Sequence, residues 1–207
     1  EILIESKKII STNIDRQIRK GVIKDEQKKN ILSNISFTKE FNEPVKNADL
    51  IIEAVNENFE LKKKIIKDLD LICKGDVIIS SNTSSLSISR LADKTLYPER
   101  IIGMHFMNPV PVMPLVEIVV GSTTSEKTID LTKSLTTKIN KIPLLVKDSP
   151  GFVSNRILLP MINEAIETLS QGVADVYSID QIMKLGMGHP MGPLRLADLI
   201  GLDVCLS

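Results

Sequence analysis

The chain has 207 residues, with 26 basic and 26 acidic side chains and no net charge at pH 7, so it can bury a real core and carries no electrostatic footprint for nucleic acid or an anionic membrane. Its two cysteines, Cys73 and Cys205, lie far apart without neighbouring histidines, which argues against a disulfide framework or a metal site and fits a reducing, cytoplasmic compartment. No apolar run approaches bilayer length, and no signal peptide is visible.

Helical spacing runs through Ile2 to Lys20 and again from Asp25 to Leu32, and "ISFT", Ile35 to Thr38, is a short strand candidate. "ADLIIEAV" is an apolar run without alternation, the pattern of a parallel strand covered on both faces. A helix from Asn58 to Cys73 follows, with Leu61, Ile65, Ile66, Leu69 and Ile72 on one stripe. Its "LKKKIIK" segment reads as a solvated helix face. Then come strand "DVIIS", short helix "LSISRLAD", strands "RIIGMHF" and "LVEIVVG", a helix from Ser125 to Asn140, and strand "IPLLVK". Strands separated by helices of these lengths predict an α/β fold, a doubly wound, mostly parallel Rossmann-type sheet with helices on both faces.

From "DSPGF" onward the strands stop. One long helix begins at "GFVSNR" and contains Pro160, which is expected to kink it. "SIDQIMKLG" predicts a second, opened by Ser178 as N-cap and closed by Gly186. "PLRLADLIGLDVC" predicts a third, with Pro193 in its first turn. The plan is a sheet domain over 1–148 and a helical domain over 149–207. Both ends fall inside helical periodicity, so the chain is expected to be a fragment. Its one approach to a dinucleotide glycine motif, "GMGHPMG" from Gly186 to Gly192, follows a helix and contains a proline. It reads as a helix C-cap and turn, and a phosphate loop is expected upstream of residue 1.

Three apolar runs end in abrupt polar clusters, "LIIEAVNEN", "DVIISSNTSS" and "RIIGMHFMN". Parallel strands share a direction, so Glu57, the group from Asn82 to Ser85, His105 and Asn108 are expected at one edge, where open sheets bind ligands. Each residue also has a plainer reading. Ser84 or Ser85 could cap the next helix, Glu57 could be a first-turn acid, and Asn108 before Pro109 could form a turn. His105 could simply bond a backbone carbonyl. Asn155 shares a helix stripe with Leu158, Leu159, Ile162, Ile166 and Leu169, so its amide needs a partner, either local backbone or a ligand.

"SNTSSLSI", "GMHFMNPVPVMPLVEIV", "KDSPGFVSNRILLPMINEA" and "IMKLGMGHPMGPLRLADLIGLDVC" resemble, in order and over essentially the whole chain, the 3-hydroxyacyl-CoA dehydrogenases, most closely the bacterial 3-hydroxybutyryl-CoA dehydrogenase type. That resemblance implies NAD-linked interconversion of an (S)-3-hydroxyacyl-CoA and its 3-oxo form, in a homodimer that engages neither membrane nor nucleic acid. It implies His105 as the base, Glu117 as its paired acid, and Ser84 and Asn155 as hydrogen-bond partners of the substrate oxygen. Glu57, Lys62, Ser84 and Asn108 match the family's cofactor contacts. The chemistry asks for the same types: alcohol oxidation needs a base of near-neutral affinity, and a carboxylate on the far ring nitrogen fixes the tautomer. The family's first strand, glycine loop and ribose-binding acid have no match here, so this polypeptide alone is expected to bind NAD poorly and turn over slowly. Met107 and Pro114 stand where many relatives carry Phe and Lys. Two other readings are compatible with the sequence: a non-catalytic relative that binds acyl-CoA or serves as a crystallin-like structural protein, and a sugar-acid dehydrogenase of the same architecture.

Overall fold

A computed structural model describes residues 1–206, which group into two compact units, one from Glu1 to Asn47 and one from Ala48 onward. The first unit is helical: α1 spans Ile2–Arg19, α2 Gln27–Ser33 and α3 Asn42–Lys46. Arg16 and Arg19 in the last turn of α1 complement the helix dipole. "ISFT" is not a strand; residues 35–38 have no regular structure. This unit contains no described strand to complete a ladder, and an isolated four-residue strand has nowhere to place its backbone hydrogen bonds.

The second unit begins as a five-stranded sheet in sequential order, β1 Leu50–Glu53, β2 Ile78–Ser81, β3 Ile101–Phe106, β4 Leu115–Val120 and β5 Ile142–Lys147. β1, β2 and β3 are parallel, β4 runs antiparallel to β3, and β5 is parallel to β4. Strand β1 is shorter than its apolar run because the Glu53 carboxylate accepts a bond from Val55 N–H at 2.6 Å, which turns the chain out of the ladder.

Three helices cover this sheet: α4 (Phe59–Ile72), α5 (Ile88–Ala92) and α6 (Glu126–Lys138), each opened by the side chain of its N-cap, Asn58, Ser87 and Ser125. Strand alternation sorts them. Ile102, Met104, Val116 and Ile118 pack with Ile129 of α6 on one face. Gly103 faces the other way, toward Ile88 of α5, and any Cβ there would lie 2.7 Å from the Cβ of Val119. Only glycine admits so close an approach. His105 and Glu117 alternate with Met104 and Ile118, so they share the face of Gly103. Helices on both faces are what the sequence predicts.

Beyond β5 the chain is helical: α7 Ser154–Ser170, α8 Val176–Met187, α9 Pro193–Ile200 and α10 Leu202–Leu206. Helix α7 runs through Pro160 and starts three residues later than its apolar pattern, because Gly151 (φ +70°) and Phe152 (φ +49°) turn left-handed first. Asp175, not Ser178, caps α8; its carboxylate accepts Ser178 N–H at 2.7 Å. The helix closes on Gly188 (φ +72°) rather than Gly186. "GMGHPMG" is therefore a helix end and turn. The third helix is divided at Gly201 into α9 and α10. No helix among the described residues is long and apolar enough to cross a membrane.

Candidate active site

Strands β1, β2 and β3 deliver their last residues to one edge, as their parallel register requires. Glu53, Ser81, Gly103 and Val119 form one lateral row across β1 to β4. His105 and Glu117, paired directly across the antiparallel β3–β4 ladder, lie two residues beyond that row, past the end of β2.

The two side chains meet. His105 Nδ1 lies 2.7 Å from Glu117 Oε2, and both residues are nearly out of solvent, at 6 % and 3 % exposure. Glu117 has three further donors: Ser154 Oγ at 2.9 Å on Oε2, and on Oε1 the N–H groups of Ser154 at 2.9 Å and Val153 at 3.3 Å. It thereby caps α7 from a strand 37 residues upstream. Burial works to raise its carboxyl, but the bonds from His105 and Ser154 outweigh burial and hold it below the usual carboxylate range. A carboxylate on Nδ1 fixes the proton there and leaves Nε2 with a lone pair. Phe152 packs its ring against the imidazole, centroids 5.7 Å apart and planes tilted by 60°. A buried aromatic residue at positive φ is a costly conformation that its surroundings must impose.

Asn155, on the first turn of α7, donates from Nδ2 to the backbone carbonyl of Ser84 at 3.2 Å. The amide's partner is thus backbone, though not the local backbone of its own helix. It brings Asn155 and Ser84 together. Asn82 does the same between strand ends: its Oδ1 accepts Phe106 N–H at 3.0 Å and its N–H donates to Glu53 O at 2.8 Å. Asn108 is exposed in the loop between β3 and β4, before a cis peptide to Pro109.

Glu57 gathers the "NTSS" turn. Its Oε1 accepts the Thr83 hydroxyl, the N–H groups of Ser84 (3.0 Å) and Ser85 (3.2 Å), and the Ser85 hydroxyl (3.1 Å). Burial opposes its charge, yet Thr83, the Lys62 ammonium and the Ser84 and Ser85 donors hold its carboxyl below the ordinary range. Glu57 is not the first-turn acid of α4, since Asn58 is the N-cap. Lys62 is 1 % exposed and its ammonium already holds Glu53 at 2.8 and 3.1 Å, Val55 O at 2.9 Å and Glu57 Oε2 at 3.4 Å. The ammonium has three protons, and those partners occupy them. Ser84 and Ser85 do not cap α5; Ser87 does, reinforced by Asp148 of the β5–α7 link. Asp148 accepts Ser87 Oγ at 2.7 Å, Ile88 N–H at 3.2 Å and Ser89 N–H at 2.8 Å.

Sequence reasoning missed Ser154, Phe152, Asp148 and Glu53. Glu53 had a signal, being a carboxylate that closes an apolar strand and needs a buried counter-ion. The others sit in the "KDSPGFVS" turn, which carries no periodicity to read.

The groups available for a dinucleotide at this edge are the half-exposed Glu57 carboxylate, the Ser84 hydroxyl and the Asn108 amide. Hydroxyl, carboxylate and amide suit ribose hydroxyls and a nicotinamide carboxamide, so these residues fit the NAD that the family uses. Residues 1–149 match the family model for the 3-hydroxyacyl-CoA dehydrogenase NAD binding domain, and residues 151–207 match that for the 3-hydroxyacyl-CoA dehydrogenase C-terminal domain. The chain is 50 % identical over 199 residues to 3-hydroxybutyryl-CoA dehydrogenase of Clostridioides difficile, covering 96 % of this chain and 70 % of that one. It is 50 % identical over 200 residues to the probable 3-hydroxybutyryl-CoA dehydrogenase of Bacillus subtilis, covering 97 % of this chain and 69 % of the relative. The crystal structure of (S)-3-hydroxybutyryl-CoA dehydrogenase from Ralstonia eutropha superposes with a TM-score of 0.94 at 46 % identity, over 99 % of this chain and 72 % of that one. The chain belongs to the 3-hydroxyacyl-CoA dehydrogenase family, NAD-dependent oxidoreductases.

Proposed function

We propose that the protein oxidises the C3 alcohol of an (S)-3-hydroxyacyl-CoA to the ketone, and reduces it in reverse, with the short-chain 3-hydroxybutyryl-CoA as its substrate. The names of the similar bacterial proteins support that substrate. The observation that carries the reading is the buried His105–Glu117 pair, Nδ1 to Oε2 at 2.7 Å.

With Nδ1 bound to a carboxylate, Nε2 is the acceptor for the hydroxyl proton. Glu117 then stabilises the imidazolium, and its own four donors keep it ionised while it does so. Asn155 and Ser84 supply neutral donors to the C3 oxygen, on which charge develops during reduction. Glu57, Ser84 and Asn108 hold the cofactor, with Lys62 acting through Glu57 as a positioning residue. NAD, when bound, supplies the hydride acceptor. Phe152, itself buried, packs on the imidazole and keeps water from that side of it. We further propose a division into domains at 1–148 and 149–207, supported by family matches over 1–149 and 151–207, and a cytoplasmic homodimer, supported by unpaired cysteines and by the family resemblance.

The test follows NADH absorbance with acetoacetyl-CoA in this chain, and in this chain fused behind the upstream residues of the Clostridioides difficile relative. In the active form, His105→Ala is expected to lower kcat by about 10²-fold or more while KM stays nearly constant. Equal rates would refute the assignment.

A further inference from the structure

Glu117 Oε2 is shared. It accepts from His105 Nδ1 at 2.7 Å and from Ser154 Oγ at 2.9 Å, while the Ser154 N–H serves the other oxygen, Oε1, at 2.9 Å. The backbone bond already caps α7, so the hydroxyl is not needed for that purpose. We infer that the Ser154 hydroxyl is a positioning residue for the reaction, which draws charge from Oε2 and so limits how strongly Glu117 holds the proton on His105. The inference rests on His105 being the base.

The physical argument is competition. Two donors on one carboxylate oxygen divide its charge, and each bond weakens the other's hold. Removing the hydroxyl concentrates the charge on the bond to His105, stabilises the imidazolium and makes the base harder to free at low pH. Few other groups can cause such an effect here. Strand β5 places Leu144 beside Glu117, and the start of α7 places Phe152 and Ser154 there, none of which titrates in this range. Beside Ser154 in the chain, Asn155 donates to Ser84 O, and the Ser84 N–H donates to Glu57, which faces Lys62; Ser154→Ala leaves those bonds, and the charges they position, as they are.

Two readouts test this. Proton NMR of the 207-residue chain, in a His189→Gln background so that His105 is the single imidazole, follows the Nδ1 proton. Ser154→Ala is expected to move it downfield, and Ser154→Thr, which keeps a hydroxyl, is expected to restore it. In the active fusion, the acid limb of kcat/KM for alcohol oxidation is expected to move up by about half a pH unit in Ser154→Ala and to return in Ser154→Thr. An unmoved resonance and limb in Ser154→Ala, or a Ser154→Thr variant that behaves like Ser154→Ala, overturns the inference. If that happens while His105→Ala is inactive, only the role of Ser154 falls; an active His105→Ala removes the base assignment itself.

Discussion

His105 and Ser154 converge on the same oxygen of Glu117, from 2.7 and 2.9 Å, and the other oxygen of that carboxylate caps the helix on which Ser154 and Asn155 stand. The carboxylate that bonds the imidazole therefore also fixes the origin of α7. Glu117→Gln separates the two duties. A glutamine can still accept from α7 through its carbonyl, but it carries no charge, and an amide N–H facing Nδ1 would place the imidazole proton on Nε2. The expected outcome is a fall in kcat of about 10³-fold or more, with loss of about 1–3 kcal/mol of unfolding free energy from the weakened cap and pair. Steady-state kinetics and urea unfolding measure the two separately.

The same carboxylate gives the fold an acid-sensitive element. The Glu117 carboxyl is held below its ordinary value of 4.5, because bonds from His105 and Ser154 outweigh burial. A depressed folded value means that the unfolded chain binds the proton more readily. Its stabilising contribution is then full above about pH 4.5 and is lost as pH falls through the lower, folded value. Urea midpoints of the wild type are expected to drop as the pH is taken from 6 toward 3, and to drop less in Glu117→Gln. Parallel curves would contradict the assignment. Glu57 and Asp148, also held low against burial by their donors, contribute in the same direction.

Lys62 and Glu53 form an ion pair that is 1 % exposed on both side chains, with Ser81 Oγ donating to Glu53 Oε2 at 2.6 Å. Breaking such a pair from one side leaves a buried charge. Lys62→Met is expected to cost about 3–5 kcal/mol, and Glu53→Gln combined with Lys62→Met to recover part of that loss. Because Lys62 also faces Glu57, the single variant should raise the KM for NADH. Chemical denaturation with cofactor titration checks both effects.

What could be read from sequence divides along periodicity. Strands β2 to β5 and helices α4 and α6 are visible because unbroken apolar runs, or period-3.6 stripes, extend along them, and the polar tips Glu57, His105 and Asn155 stand out against apolar flanks. The His105–Glu117 contact needed more than pattern, since an antiparallel register between two strand candidates decides whether residues twelve apart meet. "ISFT" had strand composition but no partner ladder in its unit. The α7 entry was hidden because its two left-handed residues include a phenylalanine, a type that local propensity places elsewhere. The capping of α7 by Glu117 and of α5 by Asp148 spans tens of residues, beyond the reach of any local capping rule.

Gly103 sets how closely β3, β4 and α5 approach beneath the site. A Cβ at this position would meet Val119 Cβ at 2.7 Å and two side-chain carbons of Ile88 at 3.1 Å. The Ile88 contacts can relax by rotation, but Val119 Cβ is fixed to its backbone, so β4 itself must move. Glu117 is two residues along that strand on the same face, and a shift of a few tenths of an ångström there alters its reach to His105. Gly103→Ala is expected to cost about 1–3 kcal/mol of stability, as overpacked cores do. It should also lower kcat with KM little changed, because the bond between Glu117 and His105 is disturbed while Glu57 and Asn155, the proposed cofactor and substrate contacts, are not. Adding Ile88→Ala relieves only the flexible contact. If that double variant matched Ile88→Ala alone in stability and rate, the Val119 backbone would not be the constraint, whereas a deficit in both beyond that of Ile88→Ala, whose buried side chain leaves its own cavity, locates it there.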